Sequence, residues 1–202
     1  LLIFSQVFLP DPASVGQHMA DVAIELARRG HRVRVYASRR SYEDASVAYP
    51  VRENLHGVDV RRLAASSFGK KNILLRIFGT ASFIIQAFFC ALFTPDLAGI
   101  FFSTSPPMIG VAATTAGLLR RVPTAYWAMD LNPDQLIAMN RIGPNSFTAK
   151  ILESINRFIL GRAKLVITLD RFMAAALRKR RVSEAKLLVM PPRPHDAPLA
   201  LD

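Results

Sequence analysis

Short apolar runs that alternate with helix-length segments constrain this chain more than any other feature. Residues 1–7 form an apolar run of strand length, and the apolar residues that follow from Val15 recur at helical spacing until Gly30. Residues 31–38 then read as a second strand, and the same order repeats to the end of the chain. Further strands are predicted at residues 58–63, 97–102, 123–129, 165–169 and 186–190. This alternation predicts an α/β domain, a Rossmann-like parallel sheet with helices on both faces.

The length and composition suit one such domain. With 202 residues and 51% hydrophobic content, the chain can bury one large core but is short for two complete domains. We expect residues 1–190 to form the domain and the proline-rich residues 191–202 to be an interdomain linker. Because the chain starts inside an apolar run without methionine, both ends are expected to lie within a longer protein. The single cysteine, Cys90, excludes an internal disulfide and a cysteine zinc cluster.

The formal charge of +11 is compatible with nucleic acid, an anionic membrane surface or anionic substrates. The basic residues are scattered in pairs, and only residues 178–181 form a block. Since no pair is interleaved with aromatic residues as a single-strand-binding surface requires, no nucleic-acid partner is expected. Solvated helix ends account for most of the pairs.

An uncharged apolar segment at residues 77–93 follows Lys70, Lys71 and Arg76. It approaches the roughly 20 apolar residues of a membrane-spanning helix, but it includes four small or polar residues and ends close to Pro95. Three placements stay open: a core helix between the sheet and another helix, a peripheral helix with its apolar face in lipid, and a spanning helix. In the peripheral case the basic flank would lie on anionic head groups.

The candidate site lies at the carboxyl ends of the strands, where open parallel sheets bind ligands. The loop after the first strand leads to Gly16, Gln17 and His18 at the amino end of a helix, where free backbone donors suit an anion. The glycine patterns of dinucleotide sites and P-loops are missing, as is a Gly-x-Ser-x-Gly elbow. No cluster typical of a metal site is visible, so neither a metal nor another cofactor is expected.

Asp130 is the main catalytic candidate, because it lies where an apolar strand meets solvent and can project a carboxylate into a cleft. Capping of a short helix near Pro133 explains the same residue equally well. His18 is more simply explained as a helix-surface residue, and Ser105 as the residue that opens the helix at Pro106. Asp170 also suits a helix cap.

Four segments, in this order and spacing, extend over essentially the whole chain. They are residues 6–16 (QVFLPDPASVG), 26–35 (LARRGHRVRV), 103–107 (STSPP) and 130–134 (DLNPD). Together they resemble the GT4 family of retaining glycosyltransferases, specifically its bacterial surface-polysaccharide members. Each motif alone is weak, and the resemblance rests on their combination.

The resemblance implies the amino-terminal, acceptor-side domain of a GT-B fold, whose active site faces a carboxyl-terminal donor-binding domain that is missing from this chain. It implies transfer of a sugar, with retention, from a nucleotide-diphosphate-sugar donor to a lipid-linked or polysaccharide acceptor, as in lipopolysaccharide or capsule synthesis. No metal or other cofactor is implied. The isolated domain is expected to be inactive, and the protein to be cytoplasmic and peripheral at the inner face of the bacterial plasma membrane.

By the same resemblance, Gly16 matches the glycine near the donor phosphates and the acceptor, and Asp130 matches the polar residue after the fifth strand. Many relatives carry His-Asp at that position. Met129 replaces the histidine here, so any catalytic role falls on Asp130. Asp-Leu-Asn-Pro-Asp also differs from the Asp-Leu-Trp-Pro-Glu of related branches, which leaves the acceptor open. The further candidate substrate-binding residues are Gln17, His18, Ser105, Asn132 and Asp134.

Two other functions stay open. Sugar-nucleotide 2-epimerases share the GT-B architecture and also place their cleft between two such domains. A non-catalytic, membrane-associated binding domain is the third interpretation, because of the apolar residues 77–93. Product analysis with and without an acceptor distinguishes a glycosyltransferase from an epimerase, and vesicle partitioning tests whether the domain associates with a membrane.

Overall fold

The strands and helices follow one another in the predicted alternation in a computed structural model, which describes residues 1–42, 44, 46–66 and 73–191. The described strands are β1 (Leu2–Phe4), β2 (Arg34–Ser38), β3 (Arg52–Leu55), β4 (Val58–Leu63), β5 (Ile100–Ser103), β6 (Thr124–Ala128), β7 (Leu165–Thr168) and β8 (Leu187–Val189). The described helices are α1 (Ser14–Arg28), α2 (Ile73–Phe93), α3 (Ile109–Arg120), α4 (Asp134–Ala138), α5 (Phe147–Arg162) and α6 (Arg171–Lys179), with a short 3₁₀ helix at Glu184–Lys186.

The strands form one sheet in the order β3-β4-β2-β1-β5-β6-β7-β8. All neighbouring pairs are parallel except β3 and β4, which are antiparallel. In the centre, Leu2 of β1 lies opposite Arg34 of β2 on one side and Ile100 of β5 on the other. The chain leaves β1 towards β2 and leaves β5 towards β6, so the strand order reverses between β1 and β5. This reversal is the topological switch point at which such sheets bind ligands.

The two faces of the sheet have separate cores, because successive strand residues point to opposite sides. On one face, α2, α3, α5 and α6 cover the sheet, with buried residues that include Phe4, Phe102, Phe83, Ala113, Ile159 and Leu177. On the other face, α1 covers β1, β2 and β4, with buried residues that include Ile3, Val35, Val60, Met19 and Ala23. The prediction of a Rossmann-like sheet with helices on both faces is confirmed.

Two local predictions were wrong. No strand was predicted between residues 38 and 58, but this stretch contains β3, which forms a hairpin with β4 through His56 and Gly57 at positive φ. Its sequence, Arg-Glu-Asn-Leu, is poor in the β-branched and aromatic residues that indicate strands. The helix expected to open at Ser105 instead begins at Ile109, after Met108 in a left-handed conformation, and Ser105 does not cap it.

The apolar segment at residues 77–93 lies in α2, and only part of this helix is buried in the core. Phe83, Ala87 and Ala91 are fully buried, but most other residues between Leu74 and Phe93 are exposed or half-buried. Within the described residues, α2 is the one helix that is long and apolar enough to cross a membrane. Lys70 and Lys71, and all of the expected linker except Pro191, lie outside the described residues.

Candidate functional site

A narrow crevice of about 70 Å³ lies at the carboxyl ends of β5 and β6, next to the switch point. It is bordered by the loop after β5, the loop after β6 and the inward side of α5. The two loops are joined where the Thr104 hydroxyl Oγ1 donates a hydrogen bond to Asp130 Oδ2 at 3.3 Å. The fold thus brings two of the predicted motifs, at residues 103–107 and 130–134, to one place.

Asp130 projects from the end of β6 and is exposed to solvent. The alternative role as a helix cap is not observed, because α4 has Pro133 at its N-cap and no side-chain hydrogen bond there. Nearby, Tyr126 lies on the wall of the crevice. Burial, and then the negative charge of Asp130, raise the pKa of the Tyr126 phenol. Tyr126 therefore stays protonated at neutral pH, and a neutral phenol lies in the same crevice as the Asp130 side chain.

Asn132 lies beside Asp130 on the same loop. Its backbone carbonyl accepts a hydrogen bond from the Asn156 amide Nδ2 of α5, which holds the loop in place. Its side-chain oxygen Oδ1 is buried and has no hydrogen-bond partner among the described residues. A buried polar atom without a partner costs about 1–3 kcal/mol, so this oxygen is an unsatisfied acceptor within the loop after β6.

Gly16 lies at the first turn of α1, packed against the backbone of the loop after β1. A side-chain carbon at this position would lie 3.1 Å from the Val7 carbonyl carbon and oxygen and 3.2 Å from the Phe8 amide nitrogen. Any larger residue would therefore require the loop to shift by a few tenths of an ångström, and glycine lets α1 begin this close to it. The N-cap residue, Ala13, makes no side-chain hydrogen bond to the helix.

Gln17 and His18 follow on the same helix turn. The Gln17 amide Nε2 donates to the Pro12 carbonyl at 3.3 Å and so returns to the loop after β1. The His18 ring lies 6.2 Å from the ring of Trp127, the penultimate residue of β6. This ring contact links the start of α1 to the strand that carries Asp130.

The structure places the two remaining candidates in contacts of their own. Asp134 Oδ1 accepts a hydrogen bond from Arg180 at 2.6 Å, and the same guanidinium lies 3.4 Å from Glu153. Burial lowers the pKa of Arg180, but the hydrogen bonds and charges of these two carboxylates outweigh it and raise the pKa. Ser105 is tied to Ser103 by its backbone amide, which donates to Ser103 Oγ at 3.3 Å. Both remain predictions as substrate-binding residues.

Sequence reasoning missed the side chain that anchors the loop after β1. Arg62 of β4 is 1% exposed, and its guanidinium donates to Glu53 Oε1 at 2.9 Å and to the carbonyls of Leu9 and Ser38. In sequence it resembles one of the solvated basic pairs. Its position, however, continues the alternation of the buried Val58 and Val60, and that spacing is the signal that could have identified it.

A second cavity, of about 350 Å³, lies at the carboxyl ends of β2 and β4. Its described lining is apolar, from Ala48 and residues 63–65, except for Ser66 and the basic pair Arg39 and Arg40. Both arginines of this pair are exposed. Among the described residues, no group of three or more histidine, cysteine or acidic side chains is placed to hold a metal ion.

Residues 14–193 match the family model of the glycosyl transferase 4-like domain. The chain belongs to this family. A search of the curated proteins finds no match. Two solved structures of sucrose-phosphate synthase from Thermosynechococcus elongatus are similar to the chain, both at 16% identity. The match to the first covers 96% of this chain and 90% of the synthase chain, with a TM-score of 0.57. The match to the second covers 94% of this chain and 47% of the synthase chain, with a TM-score of 0.61.

The fold is that of the amino-terminal, Rossmann-like domain of a GT-B glycosyltransferase. The chain spans about half the length of the second sucrose-phosphate synthase structure. Within this glycosyltransferase domain, Asp130 and Asn132 share a crevice with Thr104, and His18 reaches the strand that carries Asp130. Sequence reasoning identified the two crevice residues of the 130–134 motif, but it did not identify Thr104 or Asn156, which hold that motif in place.

Proposed function

We propose that this domain belongs to an enzyme that transfers a sugar, with retention, from a nucleotide-diphosphate sugar to a lipid-linked or polysaccharide acceptor in bacterial surface-polysaccharide synthesis. The observation that carries the proposal is the exposed carboxylate of Asp130, held by Thr104 at the carboxyl end of β6 beside the switch point. A group that acts on an acceptor hydroxyl needs this combination of solvent access and fixed position.

In this proposal Asp130 orients or deprotonates the acceptor hydroxyl. Asn132, which lines the same crevice, binds a second hydroxyl of the same sugar. Gly16, with Gln17 and His18, borders the donor diphosphate, because α1 begins there without an acidic residue in its first turn. The dipole of α1 favours a phosphate group at this end of the helix.

The described crevice is half of a complete site. Its volume of about 70 Å³ is far below the roughly 300–1,000 Å³ of ordinary ligand pockets. We propose that a carboxyl-terminal donor-binding domain closes over this edge of the sheet and that the chain alone has no transferase activity. Assays of the isolated chain with donor and acceptor are expected to yield no product, and measurable sugar transfer would refute this part.

The cavity beside Arg39 and Arg40 supports the proposal that the acceptor carries a phosphate group. It lies at the same edge of the sheet as Asp130, with β1 and β5 between β2 and β6. At the usual spacing of neighbouring strands, the two positions are about 14 Å apart, a distance that a sugar linked to a lipid diphosphate can bridge. Arg39→Gln in the complete enzyme is expected to raise KM for a lipid-diphosphate acceptor several-fold, with kcat little changed. An unchanged KM would exclude the cavity from acceptor binding.

The decisive assay uses the complete enzyme with a panel of nucleotide-diphosphate sugars, with and without a lipid-linked acceptor. The proposal predicts an acceptor-dependent glycoside whose anomeric configuration, read by NMR, equals that of the donor. An altered sugar nucleotide formed without any acceptor would instead identify a 2-epimerase. Inversion of the anomeric centre would contradict retention while leaving sugar transfer itself intact.

A further inference from the structure

We propose that the exposed side of α2 docks on an anionic lipid bilayer, with the helix lying along the membrane surface. The proposal concerns where the protein resides and is independent of the transfer reaction. It identifies, within the fold, a surface for the peripheral location at the plasma membrane that the sequence led us to expect.

The first observation is a row of exposed apolar side chains on α2. The row consists of Ile77, Ala81, Ile85, Phe89 and Phe93, spaced four residues apart, so that each member lies next to the following one along a ridge of the helix. Its four large members are between 51% and 80% exposed. Residues 77–93 carry no charge, although a helix with one face in water normally places charged residues on that face.

The second observation is that the opposite side of α2 is fixed to the domain. Phe83, Ala87 and Ala91 are fully buried in the core. The Gln86 amide Nε2 donates to the Ala64 carbonyl at 2.8 Å, and Arg120 of α3 donates to the Leu92 carbonyl near the end of the helix. A membrane-spanning position would remove this buried side from the core, so a helix that lies in the interface fits the structure better.

The apolar surface continues beyond α2. Leu118 and Leu119, near the end of α3, are 42% and 62% exposed. They lie close to the carboxyl end of α2, where Arg120 makes its contact with that helix. Soluble monomers seldom expose a continuous apolar patch of more than a few hundred Å², and such patches mark interaction sites.

The charges around the patch favour an anionic partner. Between Asp59 and Asp96 the sequence contains no acidic residue, and the basic side chain of this stretch that lies on α2 is Arg76. Arg76 on α2 and Arg121 after α3 are exposed at opposite ends of the patch. A second copy of this chain would bring another charge of +11 to the contact, which opposes association. Anionic head groups attract the same residues.

The position of α2 also relates the membrane to the candidate site. Gln86 contacts the residue after the end of β4, and the helix then runs back towards the start of β5. The turns of α2 before Gln86 therefore extend past the carboxyl ends of the strands, at the edge where Asp130 lies. Docking through α2 brings that edge of the domain close to the bilayer.

The test is co-sedimentation of the chain with vesicles of phosphatidylcholine alone and of phosphatidylcholine with phosphatidylglycerol. Binding to the anionic vesicles is expected, and it should weaken as the salt concentration rises. The double variant Ile85→Ser and Phe89→Ser, which keeps the net charge, is expected to reduce the partition coefficient at least about tenfold. The matched control is Leu188→Ser with Val189→Ser, which removes two apolar side chains of 45% and 41% exposure from the edge strand β8 and should leave binding unchanged.

Circular dichroism and thermal melting show whether each variant retains the fold, as expected for exposed positions. Absence of vesicle binding by the wild-type chain would overturn the proposal, as would equal loss in the two double variants. Equal binding to neutral vesicles would overturn the assignment to anionic lipid. A dimer in analytical ultracentrifugation that the α2 variant abolishes, without vesicle binding, would assign the patch to a second copy instead.

Discussion

The loop after β1 and the loop after β6 lie at the same edge of the sheet but are built in opposite ways. The first is held by buried contacts: Arg62 binds its Leu9 carbonyl, Asp11 accepts the Tyr42 amide at 2.8 Å, and Gly16 packs on its backbone. The second carries the exposed Asp130 and, among the described residues, a buried Asn132 oxygen without a partner. This arrangement is expected when the loop after β1 positions a ligand and the loop after β6, with its unpaired oxygen, reacts with that ligand.

Arg62→Ala should have the largest effect, because it removes the anchor of the fixed loop. Glu53 and two backbone carbonyls lose a buried donor, and breaking a buried ion pair costs about 3–5 kcal/mol. Urea denaturation measures the loss in the free energy of unfolding. The neighbouring Arg61→Ala is the control, since its pair with Asp59 is partly exposed and should contribute no more than about 1 kcal/mol. Equal losses in the two variants would show that Arg62 is not a special anchor.

Gly16→Ala tests the close approach of α1 to the same loop. The added carbon would lie 3.1 Å from backbone atoms, which cannot move aside as a flexible side chain does. A loss of about 1–3 kcal/mol in the free energy of unfolding is therefore expected. Gly161→Ala on α5 is the matched control, because nothing lies within 4 Å of that position. It should stabilise the domain by roughly 0.5–1 kcal/mol through helix propensity. The two variants should therefore shift the melting temperature in opposite directions, and shifts of the same sign would contradict the packing described for Gly16.

Asn156→Ala tests how firmly the second loop is held. The variant removes the hydrogen bond to the Asn132 carbonyl, and the expected loss in the free energy of unfolding is about 1 kcal/mol. Ser154→Ala, at an exposed position of the same helix, should change stability by less than about 0.5 kcal/mol. Hydrogen exchange should show faster exchange confined to the loop after β6. Faster exchange spread over α5 as a whole would instead indicate a general loss of helix packing.

The strands and the strand-end loops were predictable because their signals are local. Apolar runs of strand length and helical spacing of apolar residues identified every described strand except β3, and the polar loops after β1, β5 and β6 followed from the parallel sheet. β3 was missed because its polar sequence becomes a strand only by pairing with β4.

The contacts that support the site were not predictable in the same way. Thr104 meets Asp130 across 26 residues, and Arg62 meets Leu9 across 53 residues. Neither pair has a signature in local composition, because each depends on which strands become neighbours. Local spacing left the role of Asp130 undecided between helix cap and catalyst, and it also allowed Asp170 to be a helix cap. In the structure the two aspartates differ in their contacts. Asp170 Oδ1 accepts the amides of Phe172 and Met173 at 2.7 Å, whereas Asp130 caps no described helix.

This contrast between two aspartates at neighbouring strand ends provides the most direct test of the proposed role of Asp130. In the complete enzyme, Asp130→Asn is expected to leave the melting temperature unchanged, because the amide oxygen can still accept the hydrogen bond from Thr104. It is expected to lower kcat about 10²–10⁴-fold, because an amide cannot deprotonate the acceptor hydroxyl. Asp170→Ala is expected to lower stability by about 1 kcal/mol, as for a lost cap, and to retain kcat. Undiminished turnover by Asp130→Asn would contradict the catalytic assignment.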